Sequence, residues 1–233
     1  MFRRRVEVTP ELLLRRYRDG LFPMAETRDA TELFWLDPEP RGILPLDRFH
    51  LPRRLRRTAL AGTFETTTDR AFEAVIDGCA GPAPGREESW INPQIRSLFL
   101  AVHRMGSAHS IECWREGTLC GGLYGIAIGG AFFGESMFSR QRDASKVALA
   151  FLVARLRLGG FRLLDTQFIT SHLSQFGAVE VSRARYRGML ADATAVDAQW
   201  QQEPADLVGA IRRLGAACED RGVRPMSEGE AGG

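Results

Sequence analysis

The sequence predicts an α/β (α+β) fold, with one substantial domain behind a small N-terminal annex. Three observations point there. Residues 110–136 read as three apolar segments parted by Glu116-Gly117 and Gly129-Gly130, the turn chemistry of a strand meander. A long helical pattern, Ala144–Leu158, follows and ends at Gly159-Gly160. Ahead of the meander lie a strand pattern and two amphipathic helix patterns, and behind it one more apolar strand. With 233 residues, 44% of them hydrophobic, the chain is long enough to bury such a core.

Taken in order, Thr9 and Pro10 form an N-cap and first-turn pair for a short helix over Glu11–Arg18, which Gly20 stops. Leu21–Met24 and Phe34-Trp35 are apolar pieces around a polar loop. Pro38, Pro40, Pro45 and Pro52 then predict an extended, irregular wrap rather than regular structure. Arg53–Arg57 opens a short basic helix and closes the annex, residues 1–60. The main domain, residues 61–192, begins with a strand over Thr63–Thr68. Asp69 is read as the N-cap of a helix that buries Phe72, Val75, Ile76 and Cys79. After the Gly- and Pro-rich Gly81–Gly85 comes a second helix, Pro93–Met105, with Ile95, Leu98, Phe99 and Val102 on one side. The meander strands are Ser110–Arg115, Leu119–Ile128 and Ala131–Ser136. Asp143 precedes the long helix as its cap, Leu163–Phe168 is a strand, and Ser171–Phe176 and Arg183–Leu190 are helices. Residues 193–233 form a variable tail in which Leu207–Leu214 is amphipathic enough to dock and Ser227–Gly233 is read as disordered. This order of elements is that of the N-acetyltransferase-like (GNAT-like) superfold, an analogy that does not by itself give the chemistry.

Composition narrows the function classes. No apolar run approaches the roughly 18–20 residues of a membrane span, and MFRRRVEVTP lacks the apolar core of a secretory signal. Cys79, Cys113, Cys120 and Cys218 show no metal-ligand or redox spacing, so they read as reduced thiols of a cytoplasmic protein, with no metal site. Residues 1–60 hold 13 arginines against 9 acids, whereas residues 193–233 hold 4 against 7, so a polyanion would meet the first end rather than the second. Lys146 is the sole lysine.

The candidate chemistry centres on Glu135, a carboxylate set among Phe132, Phe133, Met137 and Phe138, where it is costly without a partner or a task. A two-residue turn at Gly129-Gly130 would pair Ile128 with Ala131, Ile126 with Phe133 and Tyr124 with Glu135. Phenol and carboxylate would then share a face and hydrogen-bond, either as a satisfied structural pair or as part of a site. Asp165 and Gln167, two apart in LLDTQF, would also share one face, as structural groups or as an acid and amide that hold an amine. Trp114 points away from Ile111 and Cys113, and a bulge or a longer turn would be needed to bring it to the face of Tyr124. Trp35 is a staple of the annex or a wall of the cleft. SRQRDAS, before the long helix, has no glycine of the kind that cradles a coenzyme A pyrophosphate, though Arg140, Arg142 and Lys146 could hold a phosphate. Arg53, Arg54, Arg56 and Arg57 would track a nucleic-acid backbone or simply form a solvated helix face. His109 and His172 read as structural. There is no phosphate-loop, Ser-His-Asp or cysteine-nucleophile signature.

The stretches YRDGLFPMAE, FWLDPEPRGILPLDRFH, WIN, HSIECWREGTLCGGLYG, FFGESMFSRQRDASKVAL and LLDTQF followed by HL and GA closely resemble the leucyl/phenylalanyl-tRNA–protein transferase family, from about Thr9 to about Leu190. The chain departs at its ends: it lacks the opening segment of longer members, and nothing beyond Ala191 matches. The resemblance implies transfer of Leu or Phe, and Met less well, from aminoacyl-tRNA to the N-terminal Arg or Lys of a protein, which marks it for degradation. It implies an acetyltransferase-like domain that holds a tRNA 3′ end in place of coenzyme A, and no cofactor; the lack of an apolar span and the reduced thiols add the expectations of no membrane and a cytoplasmic location, and the chain is expected to be a monomer. Carried over, Asp165 and Gln167 resemble the catalytic pair and Glu135 an acidic neighbour. Trp35, Trp114 and Tyr124 resemble positions that border the terminal adenosine and amino acid. Phe133, Met137, Phe138 and Ser139 are pocket candidates, and Arg53, Arg54, Arg56, Arg57, Arg140 and Lys146 tRNA contacts. Asp165 could hold the ammonium and receive or relay its proton, Gln167 could position the amine or donate to the carbonyl oxygen, and Glu135 and Asp165 would favour a basic acceptor. The competing readings are an acetyl-CoA-type N-acyltransferase, a transferase of aminoacyl groups to cell-wall precursors, and a non-catalytic tRNA-binding module.

Overall fold

The computed structural model describes residues 8–82 and 88–216. It is a mixed α/β structure built on a seven-stranded sheet. Helix α1 is Pro10–Arg18, with the Thr9 hydroxyl accepting from the Leu12 N–H at 3.2 Å. Strands β1 (Phe22–Met24) and β2 (Phe34–Leu36) pair into a small sheet of their own. Then come β3 (Arg41–Ile43), a 3₁₀ turn at Leu46–Arg48 and helix α2 (Arg53–Leu60). Strand β4 is Glu65–Thr68, α3 Phe72–Ala80 and α4 Pro93–Arg104. The meander is β5 (Ala108–Arg115), β6 (Thr118–Ile128) and β7 (Ala131–Ser139). Helix α5 (Ala144–Leu158), β8 (Leu163–Gln167), α6 (Ser171–Ser174), β9 (Val179–Val181), α7 (Arg183–Thr194) and α8 (Leu207–Ala216) complete it.

The sheet order is β4-β5-β6-β7-β8-β3-β9. Among the described residues only the β7–β8 pair is parallel, joined by the α5 crossover; the other neighbours are antiparallel. Helices α5, α2 and α8 share one core with one face of the sheet, while α1, α3, α4 and α7 bury the other. This explains why α5 is apolar nearly all round: Val147 to Leu156 lie under both the sheet and the tail helix. The meander turns follow their residues, since Glu116 and Gly117 both take positive φ, 51° and 73°, as a tight hairpin turn demands.

Four expectations change. The proline-rich stretch is not irregular throughout: Arg41–Ile43 forms a strand inside the sheet, between β8 and β9. Pro38, Pro40 and Pro45 flank these residues without interrupting them, so the ladder keeps its donors. Asp69 does not cap α3, which starts three residues later at Phe72 with no side-chain cap. Asp69 instead sits at φ 57° and accepts from the Ser110 N–H, Trp200 and Gln202, with His109 against it at 2.8 Å. Asp143 holds the N-cap position of α5, but its side chain makes no cap bond and takes Arg54 and Lys146. The tail docks more fully than expected. Trp200 stacks between His109 and Phe132 at 4.3 and 5.6 Å, Arg155 donates to the Gln201 and Gln202 carbonyls, and α8 packs on α5 and α2. Cys218 and Ser227–Gly233 lie outside the described residues, as does most of Gly81–Gly85. Cys79, Cys113 and Cys120 are buried thiols.

Candidate active site

The Gly129-Gly130 turn sets the β6–β7 register as expected for its first pairs, with Ile128 opposite Ala131 and Ile126 opposite Phe133. The predicted Tyr124–Glu135 pair does not form. The register shifts after Gly125–Gly134, so Tyr124 faces Ser136 and Glu135 becomes the extra residue of a β-bulge. The Tyr124 hydroxyl is buried without a hydrogen-bond partner. The bulge re-aims Glu135 towards β8, where Gln167 Nε2 donates to its Oε1 at 3.4 Å.

Glu135 and Gln167 line one wall of a cavity of about 310 Å³ between the sheet and α5–α6. Leu123, Met137, Leu149, Leu152, Leu164 and Phe168 make it largely apolar; Tyr124, Thr166 and His172 also line it, the Tyr124 and Thr166 hydroxyls being themselves buried without a hydrogen-bond partner. Burial pushes the Glu135 carboxyl up to about 8, and the charge of Asp165 adds to that while Tyr17 and Arg41 oppose it. Burial likewise raises the Tyr17 and Tyr124 phenols well above their ordinary values. An uncharged carboxyl that ionises as a cation approaches can hold or relay the proton of an amine.

Asp165 lies behind this wall. It is 0% exposed and does not line the cavity. Its oxygens accept from Arg41 Nε at 3.0 Å, Arg41 Nη2 at 2.6 Å, the Tyr186 hydroxyl at 2.7 Å and the Gln167 N–H at 2.8 Å. The D-x-Q residues are therefore brought together, but through backbone, because Gln167 takes a positive φ of 57° that breaks the strand alternation.

A second cavity, of about 460 Å³, shares Met137 and His172 with the first and is bounded by Phe138, Ser139, Arg140, Ser145 and the end of α3. Gly78 is required there, since a Cβ would stand 2.8 Å from the Phe138 ring. Arg140 lies over Phe138 at 5.2 Å, and the Ser139 hydroxyl donates to the Gln141 carbonyl. Of the pocket candidates, Met137 lines both cavities and Phe138 and Ser139 the second. Phe133 is wholly buried against Tyr17 and lines neither. Trp114 does face the core of Tyr124, by way of a bulge at Cys113–Trp114. Its Nε1 donates to Thr67 and Arg70 covers its ring, so it borders neither cavity. Trp35 sits in β2 opposite Pro23, with Arg16 near its ring, and borders neither cavity either.

On α2, Leu55 and Ala59 are buried, while Arg53, Arg54 and Arg57 are exposed and Arg56 half-buried. Arg54, Arg142 and Lys146 converge on Asp143 at 3.1, 3.9 and 3.5 Å, which joins the basic helix to the start of α5. His109, read as structural, lies against Asp69 at 2.8 Å and stacks on Trp200. His172, also read as structural, stands on the wall shared by both cavities, and burial, with Lys146 nearby, lowers its pKa and favours the neutral ring. Sequence reading missed His172, Thr166, Arg41 and Tyr186. For Arg41 the signal was an arginine between prolines in a segment otherwise apolar.

Comparison with known proteins agrees with the resemblance. A family model described as leucyl/phenylalanyl-tRNA protein transferase matches residues 43–191, and a model of the same family's N-terminal domain matches residues 7–39. A protein named leucyl/phenylalanyl-tRNA–protein transferase from Rhodopseudomonas palustris (strain HaA2) is 56% identical over 200 residues, 86% of this chain and 89% of its own length. One of the same name from Paramagnetospirillum magneticum is 60% identical over 81% of this chain and 90% of its own, and one from Maricaulis maris 54% over 86% and 93%. A solved structure named as the C-terminal domain of a putative lysylphosphatidylglycerol synthetase, from Agrobacterium fabrum, covers 88% of this chain and 69% of its own at 15% identity, with a TM-score of 0.38 that is too low to carry an argument. Two family models that abut near residue 40, and relatives above half identity across most of the chain, leave one conclusion: the chain belongs to the leucyl/phenylalanyl-tRNA–protein transferase family.

Proposed function

We propose that the chain moves Leu or Phe, and Met less readily, from aminoacyl-tRNA to the N-terminal Arg or Lys of a protein, in the cytoplasm and as a monomer, and so creates a degradation signal. The observation that carries this reading is the meeting of the Gln167 amide and the Glu135 carboxyl at 3.4 Å on the wall of an apolar cavity of about 310 Å³. Such a cavity suits a Leu or Phe side chain and excludes a charged one, whose desolvation would go uncompensated.

The chemistry asks little of the protein. The aminoacyl ester is already activated, and an α-amine with a pKa near roughly 8 is partly neutral at cell pH. Its nitrogen attacks the ester carbonyl carbon, a C–N bond forms, and the C–O bond to the tRNA ribose breaks. The proton lost by the amine ends on the departing ribose oxygen. Gln167 orients the amine or donates to the carbonyl oxygen, Glu135 accepts and returns the proton, and Asp165 supports Gln167 from behind. Glu135 also favours a basic acceptor. Met137, and Phe138 and Ser139 beyond it, would form the donor pocket, with Tyr124 in its wall. Arg53, Arg54, Arg56 and Arg57, together with Arg140 and Lys146, would meet the tRNA backbone. Trp35 and Trp114 would serve the terminal adenosine only if the bound tRNA end extends past both cavities.

Within the same reading, residues 61–192 form an N-acetyltransferase-like domain, residues 1–60 an annex that lends β3 to its sheet, and the remainder a tail. The element order from β4 to β8 and the α5 crossover between parallel strands support this. The test is transfer of labelled Phe or Leu from tRNA to peptides that begin with Arg or Lys, with no product expected on a peptide that begins with Ala. A wild-type protein that binds aminoacyl-tRNA without transferring would favour the binding module.

A further inference from the structure

The acid of the D-x-Q pair has no free acceptor site. A carboxylate offers about four lone-pair positions, and Asp165 fills them with two bonds from Arg41, one from Tyr186 and one from the Gln167 N–H, all away from water. Arg41 is equally committed. It is 0% exposed, its third nitrogen donates to the Gly20 carbonyl at 2.9 Å, and its guanidinium lies 4.4 and 4.8 Å from the Tyr186 and Phe22 rings. The end of α1, β3, β8 and α7 therefore converge on one carboxylate.

What that carboxylate holds is a backbone conformation. Gln167 sits at φ 57°, which L-residues adopt at a cost, and the Phe168 N–H closes a tight turn on the Thr166 carbonyl at 2.6 Å. The Gln167 N–H is tied to Asp165 Oδ1, and β3 presses on the turn from the other side, where a Cβ on Gly42 would stand 2.7 Å from the Phe168 carbonyl carbon. This backbone turns the Gln167 amide towards Glu135 and the cavity. Released from Asp165, Gln167 would relax towards ordinary strand geometry and carry its amide off the wall.

We infer that Arg41 and Tyr186 are positioning residues for the transfer step: with Asp165 clamped between them they fix Gln167 at the cavity wall, so Asp165 works through Gln167 and not on the substrate. This deepens the proposed transfer reaction and rests on it. Glu135, facing the cavity, is left as the acid that exchanges the proton.

Tyr186→Phe removes one hydroxyl from the clamp and keeps the ring. In single-turnover assays with labelled Phe-tRNA and an Arg-initial peptide, the expected result is transfer about tenfold slower, with half-saturation by Phe-tRNA unchanged within about twofold. Arg41→Lys, which loses the fork but keeps the charge, should slow transfer further. In a Gln167→Ala background either change should slow the residual reaction by less than about twofold, because its target is gone. The same slowing in both backgrounds, or weaker Phe-tRNA binding at an unchanged rate, would overturn the inference. Hydrogen exchange of the Gln167 N–H gives a readout independent of activity: faster exchange in Tyr186→Phe at an unchanged melting temperature supports the clamp, and unchanged exchange overturns it. An inactive wild type would instead remove the transfer reading and leave the exchange result standing.

Discussion

Replacing Glu135 by glutamine keeps the side chain's shape and removes its titration, so its effect on stability should depend on pH. The fold raises this carboxyl from an ordinary 4.5 to about 8, chiefly by burial. Because the folded value lies above the unfolded one, the folded state binds more protons between those limits, and stability falls as pH rises from about 4.5 to about 8. Below the window both states are protonated and the penalty vanishes; above it the penalty is complete. At full value the shift would amount to roughly 5 kcal/mol. The cavity beside Glu135 is open to water, which screens the charge, so about 1–2 kcal/mol is the working expectation. Urea unfolding of both proteins at about pH 5, 6, 7 and 8 measures it. The stability of Glu135→Gln relative to wild type should improve by about that amount across this range, while the histidines cancel in the difference. Parallel curves would mean that Glu135 is solvated as an ordinary surface carboxylate, and would remove the case for it as a proton-exchanging group.

Three further predictions follow from packing and charge. Trp200→Ala removes a ring stacked on His109 and Phe132 and a donor to Asp69, so it should cost about 2–3 kcal/mol in urea unfolding; a neutral result would mean that the tail is not anchored there. Met137→Ala widens the wall between the two cavities and should change the kcat/KM ratio of Phe-tRNA to Leu-tRNA by about tenfold, whereas an unchanged ratio would take Met137 out of the donor pocket. Replacing Arg53, Arg54 and Arg57 together by glutamine should flatten the salt dependence of tRNA binding, by up to about 0.9 in log–log slope for each phosphate no longer neutralised. An unaltered slope would assign them to the helix surface alone.

Much of this architecture is legible from residue pattern because local physics decides it. The Gly129-Gly130 turn, the capped helix over Pro10–Arg18 and the apolar length of Ala144–Leu158 each carry their own signal. The misreadings share one cause, partners distant in sequence. Asp69 looked like a cap because helix residues follow it, yet its partners lie 40 to 133 residues away. β7 begins as an apolar run without alternation, so nothing nearby announces the bulge by which the Glu135 carboxylate leaves Tyr124 for Gln167. Asp165 was read with Gln167 as a structural or a substrate-holding pair, and nothing near it announces its main partner: Arg41 is 124 residues away, in a segment whose prolines hid a strand. The family motifs point to the strand that carries both Asp165 and Gln167, whereas geometry separates Gln167, which lines the cavity, from Asp165, which does not.

The most direct test of the account is a single-turnover transfer assay with wild-type protein and Gln167→Ala side by side, labelled Phe-tRNA as donor, and peptides that begin with Arg, Lys, Asp or Ala as acceptors. Labelled product should appear on the Arg and Lys peptides and little on Asp or Ala, with a large loss of rate in Gln167→Ala while Phe-tRNA binding is retained. Equal labelling of all four peptides, or a Gln167→Ala rate equal to wild type, would contradict it.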